Sequence, residues 1–575
     1  MSGYTFRSIH VDLTASTVEI VPTPESLRDE YLGGRGFGVS LLADFMSWSY
    51  NSHEMPIIFA TGPLVGTASP TSGRMSVVSR SPLTGTIFDC SVGGRFGTML
   101  KRAGYDYIRI VGIAERLVVL EIDGNAVALR DAGSLAMLTV SAAAQMYSSE
   151  WSTAFIGPAG ERQVRYASII ADRHYAAGRG GLGAVMGAKR LKAIAVRGTA
   201  PVQVADAETL TSAREDIMRL LRSSQAVFGE FGLSEFGTAA LVDVIHARRM
   251  EPTENFRKTV FAGAGAYSGY AMKTRYRAHK TGCSGCPVLC KKIGEAREVI
   301  PEYETVSHFG ALNANSDLES IIEANSLCNE LGMDTITAAA TIACYAEHQD
   351  RTIPPDEMLQ LLREIAERRA GRGNELAEGS LRYALSQGHP ELSMSVKGLE
   401  LPAYDPRGAY GTALAYATSN RGGCHLRAYP ISHEVLRRPV ATDRFSFEGK
   451  ARIVKIAEDL NAVVDSLTAC KFVFFAVSLE EYARVLSAVT GRHYDVQSLF
   501  RIGERIWNAE RRMNRATGFS SIDDDLPLRF FTEQGSSGAF VEIRPIDRTE
   551  FLRARANYYR IRGYAEELAE SQGVR

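Results

Sequence analysis

Residues 281–292 read TGCSGCPVLCKK and place Cys283, Cys286 and Cys290 within eight positions. Three thiolates this close together need a soft metal centre, because unpaired they would repel one another or oxidise. Their C-x2-C-x3-C order is the reverse of the C-x3-C-x2-C spacing of radical S-adenosylmethionine enzymes, which disfavours that class. An iron–sulfur cluster suits the triplet and takes a fourth cysteine from elsewhere in the fold.

Two other interpretations of the triplet stay open on spacing alone. Structural zinc is one, with His279 four residues upstream of Cys283 as a fourth ligand. Plain thiols are the other. Spacing cannot choose a fourth cluster ligand among the remaining cysteines, which are Cys90, Cys328, Cys344, Cys424 and Cys470.

The chain before residue 200 is β-rich in pattern and dense in glycine. Residues 8–21 predict a strand, a turn and a strand, and residues 107–129 predict an antiparallel meander with a turn at Asp123-Gly124. Three glycine-rich segments lie between such elements: GGRGFG (33–38), SVGGRFG (91–97) and AGRGGLG (177–183). Glycine is used where the backbone approaches a ligand closely or takes a positive φ, although tight turns without a ligand would also explain it.

Arginines accompany these glycine segments, and turn N–H groups with arginine forks suit phosphate-bearing ligands. They are Arg35, Arg74, Arg95 and Arg179. Gly178-x-Gly180-x-x-Gly183 formally matches the dinucleotide fingerprint. The match is weak, because Gly187 interrupts any following helix and LKAIAV resumes a strand pattern within ten residues.

Beyond residue 200 the apolar spacing becomes helical. Helices are predicted over residues 207–222, 318–331, 356–369, 447–461 and 479–489. We therefore predict an α+β fold, in which a β-rich, cofactor-cradling N-terminal domain (1–205) precedes two mostly α-helical domains (206–400 and 401–575). The middle domain carries the cysteine triplet.

Composition excludes several classes of protein. The 575 residues carry 65 basic against 66 acidic side chains, which argues against nucleic acid or an anionic membrane as the main partner. No stretch approaches the ~20 apolar residues of a membrane span, and the N-terminus lacks a signal-peptide pattern, so a cytoplasmic protein is expected. Eight cysteines are too few for a disulfide scaffold.

Taken together, the motifs resemble the tungsten-containing aldehyde:ferredoxin oxidoreductase family nearly end to end. The resemblance is carried by YLGGRGFG (31–38), ATGPLVGTASPTSGRMSVVSRSPLTG (60–85), AGRGGLGAVMGAKRLKAIAV (177–196), CSGCPVLC (283–290), PEYET (301–305), YATSNRGGCHLR (416–427) and DSLTACKF (465–472). Their order and approximate spacing match as well.

The resemblance implies a [4Fe–4S] cluster on the triplet with Cys470 as its fourth ligand, in the last domain. It also implies tungsten, or molybdenum, chelated by two pterins. Arg74, Gly93 and Arg179 match the loops that hold the pterin phosphates. A Mg2+ ion bridging those phosphates would be held by backbone carbonyls near Ser91 and Ala176 or Ala177.

Two further segments of the family contact the pterin rings through Asp-x-x-Gly-x-(Asp/Cys). Here they run from Asn329 to Asp334 and from Asp465 to Cys470. Asn329 replaces an Asp, Thr468-Ala469 replaces Gly-Leu, and Ser91 stands where Asn is common. Asn still accepts a hydrogen bond, and a backbone carbonyl site tolerates a side-chain change.

The family match points to Glu304 and His425 as the acid/base residues of aldehyde oxidation. A carboxylate in an apolar pocket has a raised pKa and can take a proton from water. An imidazole can polarise a carbonyl. Without the family context, Glu304 would be interpreted as a solvated or salt-bridged carboxylate and His425 as a structural histidine.

The resemblance thus implies an anaerobic oxidoreductase that oxidises an aldehyde and passes electrons to ferredoxin or to an iron–sulfur electron-transfer subunit, in a homodimer or hetero-oligomer. One alternative is a reductase of an acid or an aromatic acyl-CoA with the same cofactors. A second is a zinc-stabilised, non-catalytic binding protein that kept the fold.

Overall fold

The N-terminal part of the chain forms two six-stranded β-sheets in the computed structural model, which describes residues 2–571. The strands of the first sheet lie in the order Thr17–Pro22, Arg7–Asp12, Tyr107–Val111, Ile57–Ala60, Met75–Arg80 and Ile87–Val92. Those of the second lie in the order Tyr175–Ala177, Ile169–Ala171, Ser152–Ile156, Leu191–Arg197, Val118–Asp123 and Ala126–Asp131. Both sheets are mixed, with one parallel pair each.

The predicted meander over residues 107–129 is split between the two sheets. Its second half is the predicted hairpin, Val118–Asp123 paired antiparallel with Ala126–Asp131 across the Asp123-Gly124 turn. Its first strand, Tyr107–Val111, lies in the first sheet, parallel to Arg7–Asp12 and antiparallel to Ile57–Ala60. The meander prediction is therefore wrong for that strand, whose partners are distant in sequence.

Helices dominate the rest of the chain, as the apolar spacing predicts. Those in the N-terminal part are Glu25–Tyr31, Gly34–Leu42, Phe96–Arg102, Val140–Ala144, Pro158–Glu161 and Leu182–Ala188. Those that follow are Ala207–Ser223, Gln225–Phe228, Leu233–Phe236, Leu241–Ala247, Gly269–Tyr276, Tyr303–Phe309, Leu318–Leu331, Thr335–His348, Pro355–Ala366, Arg372–Leu376, Ser380–Ser386, Tyr410–Thr418, Ile431–Glu434, Lys450–Ser466, Leu479–Thr490, Val496–Ala516, Arg529–Thr532, Arg548–Arg562 and Ala565–Ser571. Across residues 2–571 no helix has both the length and the apolarity needed to cross a bilayer.

The α+β prediction is confirmed, and the dinucleotide interpretation finds no support. The helix that follows the glycines, Leu182–Ala188, has seven residues and leads directly into the strand Leu191–Arg197. A Rossmann unit needs a longer crossover helix after its glycines. Two small hairpins complete the β structure, His279–Thr281 with Lys291–Ile293 and Ser395–Val396 with Leu399–Glu400.

Two large apolar cores meet at the cysteine triplet. One core joins both sheets to the helices between residues 239 and 384. The other joins the helix Gly34–Leu42 to the helices beyond residue 460. Cys283 packs against the first core, whereas Cys286 and Cys290 pack against the second. The hairpin loop that carries the triplet is therefore placed at the junction of the β-rich and helical parts.

Candidate functional site

A large cavity lies at this junction, with about 2020 Å³ of unfilled space when its opening to solvent is included. It is lined by nearly all the predicted site residues: Arg74, Ser91, Gly93, Ala176, Arg179, Cys283, Cys286, Cys290, Glu304, Asn329, Asp334, His425, Asp465 and Cys470. Ala177 differs, because its side chain is fully buried in the core. Arg35 and Arg95 also lie away from the cavity wall, Arg35 buried and Arg95 exposed.

The four cysteines predicted to bind the cluster differ from the other four in exposure. Cys283, Cys286, Cys290 and Cys470 are half-buried at the cavity, whereas the remaining cysteines are buried. The backbone N–H of Cys470 donates to the carbonyl of Thr71 at 3.0 Å, which ties this distant cysteine to the loop before Arg74. Burial, and then the charge of Cys470, raises the pKa of the Cys286 thiol to about 12. Cys470 thus joins a triplet from which it is separated by 180 positions.

Gly93 and Arg74 hold the wall next to Cys283. A Cβ on Gly93 would lie 2.4 Å from Sγ of Cys283, so a larger residue at this position would force the Cys283 side chain to move. Arg74 donates from Nε to Oγ of Ser91 at 2.8 Å and from Nη2 to its carbonyl at 2.7 Å. Burial opposes a rise in the pKa of Arg74, but the charges of Cys470 and Cys283 raise this pKa, as expected for a cation close to the cysteines.

Arg179 and Asp334 form another part of the cavity wall. Arg179 donates from Nη1 to the carbonyl of Gly423 at 2.8 Å and from Nη2 to that of Glu400 at 2.6 Å. Its Nε lies 3.6 Å from Oδ2 of Asp334 and has no hydrogen-bond partner among residues 2–571. Asp334 caps the helix Thr335–His348 by accepting from the N–H groups of its first turn. Asn329 reaches the cavity from the end of the preceding helix.

A chain of buried ion pairs runs inward from Cys470. Lys471 Nζ lies 2.5 Å from Oδ1 of Asp465, and burial lowers the pKa of Lys471 to about 8, so the ammonium keeps its charge at neutral pH. Asp465 Oδ2 lies 3.3 Å from Nη1 of Arg427, whose Nη2 lies 2.7 Å from Oδ1 of Asp89. Burial alone would raise the pKa of the Asp89 carboxyl. The nearby cations, of which the Arg427 guanidinium has the largest effect, hold this pKa well below its usual range.

Glu304 and His425 meet in the cavity although 121 positions separate them. Glu304 lies in the first turn of the helix Tyr303–Phe309, and its Oε1 is 3.5 Å from Nε2 of His425. Oε2 accepts from the N–H of Ala403 at 2.9 Å. Oε1 of Glu304 and Nδ1 of His425 are both buried without a hydrogen-bond partner in the described part of the chain. Two polar atoms are thus left available to a ligand.

Burial sets the protonation of this pair. It raises the pKa of the Glu304 carboxyl to about 8, so that at neutral pH the group is mainly protonated. Burial, and then the charge of Arg179, lowers the pKa of His425 well below its usual range, so that its imidazole is neutral. A carboxyl that titrates near neutrality beside a neutral imidazole is an arrangement suited to proton transfer.

Several wall residues escaped the sequence analysis. Tyr404 and Tyr429 flank His425, with ring centroids 5.6 and 6.0 Å from the imidazole and their hydroxyl oxygens 3.4 Å apart. His308, which is buried and does not line the cavity, lies one helical turn after Glu304, and its Nδ1 is 2.7 Å from the Glu304 carbonyl oxygen. Lys291 was overlooked as well. No local motif marks Tyr404, Tyr429 or His308, whereas the Cys-Lys dipeptides at Lys291 and Lys471 are visible in the sequence.

Comparisons with known proteins show which family the chain belongs to. Two models of the aldehyde ferredoxin oxidoreductase family match the chain, the N-terminal domain over residues 8–198 and domains 2 and 3 over residues 212–569. The tungsten-containing aldehyde ferredoxin oxidoreductases of Pyrococcus furiosus and Thermococcus kodakarensis are 40% and 38% identical to it, with 99% and 100% of this chain and 97% and 99% of theirs covered. The WOR-like subunit of the aliphatic sulfonate oxidoreductase of P. furiosus is 28% identical over 100% of this chain and 97% of its own.

A solved structure shares the fold. It is a chain of the active site complex BamBC of benzoyl coenzyme A reductase with 1,5-dienoyl-CoA, at a TM-score of 0.84 and 22% identity, covering 100% of this chain and 97% of its own. Together with the family matches over almost the whole sequence, this confirms the resemblance of the motifs. The chain therefore belongs to the aldehyde ferredoxin oxidoreductase family and is an oxidoreductase.

Proposed function

We propose that this chain oxidises an aldehyde to the carboxylic acid at a tungsten, or molybdenum, centre chelated by two pterins, with electrons leaving through a [4Fe–4S] cluster. One observation carries the proposal: the four half-buried cysteines and the Glu304–His425 pair line the same cavity. The names of the relatives, which combine tungsten, aldehyde and ferredoxin, support the same chemistry.

The cysteine side of the cavity fits a cluster of several irons. The zinc interpretation takes His279 as its fourth ligand, but His279 is exposed and is not among the residues that line the cavity. Cluster ligands each bind a different iron and stand further apart than the ligands of one zinc ion. Cys283, Cys286, Cys290 and Cys470 would hold the cluster, with Gly93 leaving it room beside Cys283.

The other walls fit the pterins and their phosphates. Arg74 and Arg179 would bind the phosphates, since both are cations at the cavity and Nε of Arg179 has no hydrogen-bond partner among the described residues. Oxygen ligands suit Mg2+, and the carbonyls of Ser91 and Ala176, two residues that line the cavity, would supply them in preference to core-packed Ala177. The pterin rings would lie against Asn329, Asp334 and Asp465.

When bound, the metal–pterin centre and the cluster supply the redox chemistry, accepting two electrons and passing them on one at a time. The chain's own residues handle the protons. In its ionised form Glu304 takes a proton from water at Oε1, the oxygen left unpartnered in the cavity. Neutral His425, 3.5 Å away, orients the substrate oxygen through Nε2, and the tyrosines beside it exclude bulk water.

Metal analysis of protein purified without oxygen tests the proposal first. About four irons and one tungsten or molybdenum per chain are expected, together with aldehyde-dependent reduction of a viologen dye that Glu304→Gln slows by roughly 10²–10⁴-fold. Zinc without iron would overturn the redox proposal and leave a binding protein. Turnover of an aromatic acyl-CoA with a low-potential donor, but of no aldehyde, would establish the reductase alternative instead.

The electron acceptor we propose is ferredoxin or a dedicated iron–sulfur subunit in the cytoplasm, with the chain in a homodimer or hetero-oligomer. One relative is described as a WOR-like subunit, and the solved structure is a chain of a complex named BamBC. Both names support assembly with other chains. Divisions near residues 205 and 400 are part of the same proposal, and the gap between the two family models at residues 199–211 supports the first.

A further inference from the structure

Two of the four site cysteines are followed directly by a lysine, in Cys290-Lys291 and Cys470-Lys471. Both lysines line the cavity with the cysteines. Their side chains are only 15% and 18% exposed. Lysine side chains usually extend into solvent, so two that are retained in one cavity wall need a local cause.

A carboxylate holds each ammonium group in place. Lys291 Nζ lies 2.9 Å from Oε1 of Glu302 and donates to the carbonyl of His174 at 3.2 Å. Lys471 Nζ lies 2.5 Å from Oδ1 of Asp465, which is itself 1% exposed. The two cations therefore stand at fixed positions in a partly dry environment, where a charge acts over a longer range than in water.

Both cations line the same cavity as the four cysteines. Lys291 Nζ is 5.4 Å from the ring centroid of Tyr175, and the same ring comes within 3.1 Å of the Cβ position of Gly93, next to Cys283. Lys471 directly follows Cys470, and its Nζ pairs with Asp465, which also lines the cavity. One cation thus flanks the triplet and the other flanks the fourth cysteine.

We propose that Lys291 and Lys471 are positioning residues that raise the reduction potential of the iron–sulfur cluster, an inference that rests on the proposed function. Reduction of a cluster adds one electron and no atoms, so a fixed cation nearby stabilises the reduced form. A higher potential draws electrons from the substrate side of the cavity to the cluster. It suits an acceptor of correspondingly higher potential.

Potentiometric titration of the holoenzyme, followed by the electron paramagnetic resonance of the reduced cluster, tests this inference. Lys471→Met and Lys291→Met are each expected to lower the reduced-to-oxidised ratio at a fixed potential about tenfold, which is about 59 mV for a one-electron couple. Lys471→Arg keeps the charge and the wild-type midpoint. Lys258→Met removes an exposed lysine paired with Glu254 and leaves the midpoint unchanged.

Glu302→Gln supplies a test of opposite sign. It removes the half-exposed carboxylate that compensates Lys291, so the midpoint should rise. Unchanged midpoints in both methionine variants at wild-type iron content would overturn the inference. If those variants lose iron, an unchanged midpoint in Glu302→Gln overturns it instead.

The two proposals fail in different ways. Iron content and the cluster midpoint are measured without any aldehyde, so a protein with the expected midpoint shifts but no aldehyde oxidation refutes the proposed function alone. A protein that oxidises aldehydes but shows no shifts refutes the role of the lysines alone. Wild-type protein that contains no iron after purification without oxygen refutes both proposals.

Discussion

Glu304→Gln separates the proton chemistry of the cavity from its architecture. Glutamine has nearly the same shape, and its amide oxygen can still accept from the N–H of Ala403, a contact of 2.9 Å in the wild type. What it loses is the ability to bind a proton from water. Because a general base contributes typically 10²–10⁴-fold, kcat/KM for an aldehyde should fall by roughly that factor, at unchanged iron and tungsten or molybdenum content.

The pH dependence follows from the raised pKa of Glu304, which is about 8. The active form is the ionised carboxylate, so activity is lost as the pH falls through this value. About one-tenth of the carboxyl is ionised at pH 7 and about nine-tenths at pH 9, so kcat/KM for an uncharged aldehyde should rise nearly tenfold between them. Anaerobic viologen reduction measures this profile directly.

Glu319→Gln is the matched control, since Glu319 is an exposed carboxylate paired with Arg275 at the surface. It should keep both the rate and the rise with pH. A flat wild-type profile between pH 7 and 9, or the same rise in Glu304→Gln, would show that Glu304 is not the titrating base.

Three further variants test the cysteine site and the ion pairs. Gly93→Ala places a Cβ 2.4 Å from Sγ of Cys283 and should lose most of the iron. Gly265→Ala, whose Cβ would have no heavy atom within 4 Å, should keep its iron. Iron analysis compares the two variants, and equal iron contents would contradict a steric effect of the Gly93→Ala methyl group on the cluster site. Cys470→Ser should lose the cluster signal in electron paramagnetic resonance, whereas Cys344→Ser, at a buried cysteine, should retain it. A retained signal in Cys470→Ser and a lost signal in Cys344→Ser would exclude Cys470 as a ligand. Arg35→Met leaves Glu510 without the guanidinium whose Nε is 2.6 Å from its Oε1, and the free energy of unfolding in urea should fall by about 3–5 kcal/mol. Arg197→Met, which breaks an exposed pair with Asp123, should cost at most about 1 kcal/mol, and equal losses would contradict the difference in burial.

The helices show how far local pattern predicts this fold. The helix predicted over residues 318–331 is observed as Leu318–Leu331, and the one predicted over 479–489 as Leu479–Thr490. Both begin at a polar cap, Asp317 and Ser478, whose side chain accepts from the first turn. The helix predicted from residue 447 begins at Lys450, because the amphipathic pattern extends beyond the first hydrogen-bonded turn.

The sequence by itself determined what depends on neighbours along the chain. The spacing of Cys283, Cys286 and Cys290, the hairpin at Asp123-Gly124 and the helical periodicity are all local, because backbone geometry repeats over two to four residues. The motifs in their order were also sufficient to identify the family.

Only the tertiary structure decided which distant residues meet. It brings Oε1 of Glu304 to 3.5 Å from His425, and Arg35 to Glu510. It also moves the strand Tyr107–Val111 into the first sheet, away from the hairpin that follows it. Such pairings are set by the packing of two cores, and burial then raises the pKa of Glu304. Residue type and spacing contain no record of burial, which is why the chemistry of this carboxyl appears only in the folded chain.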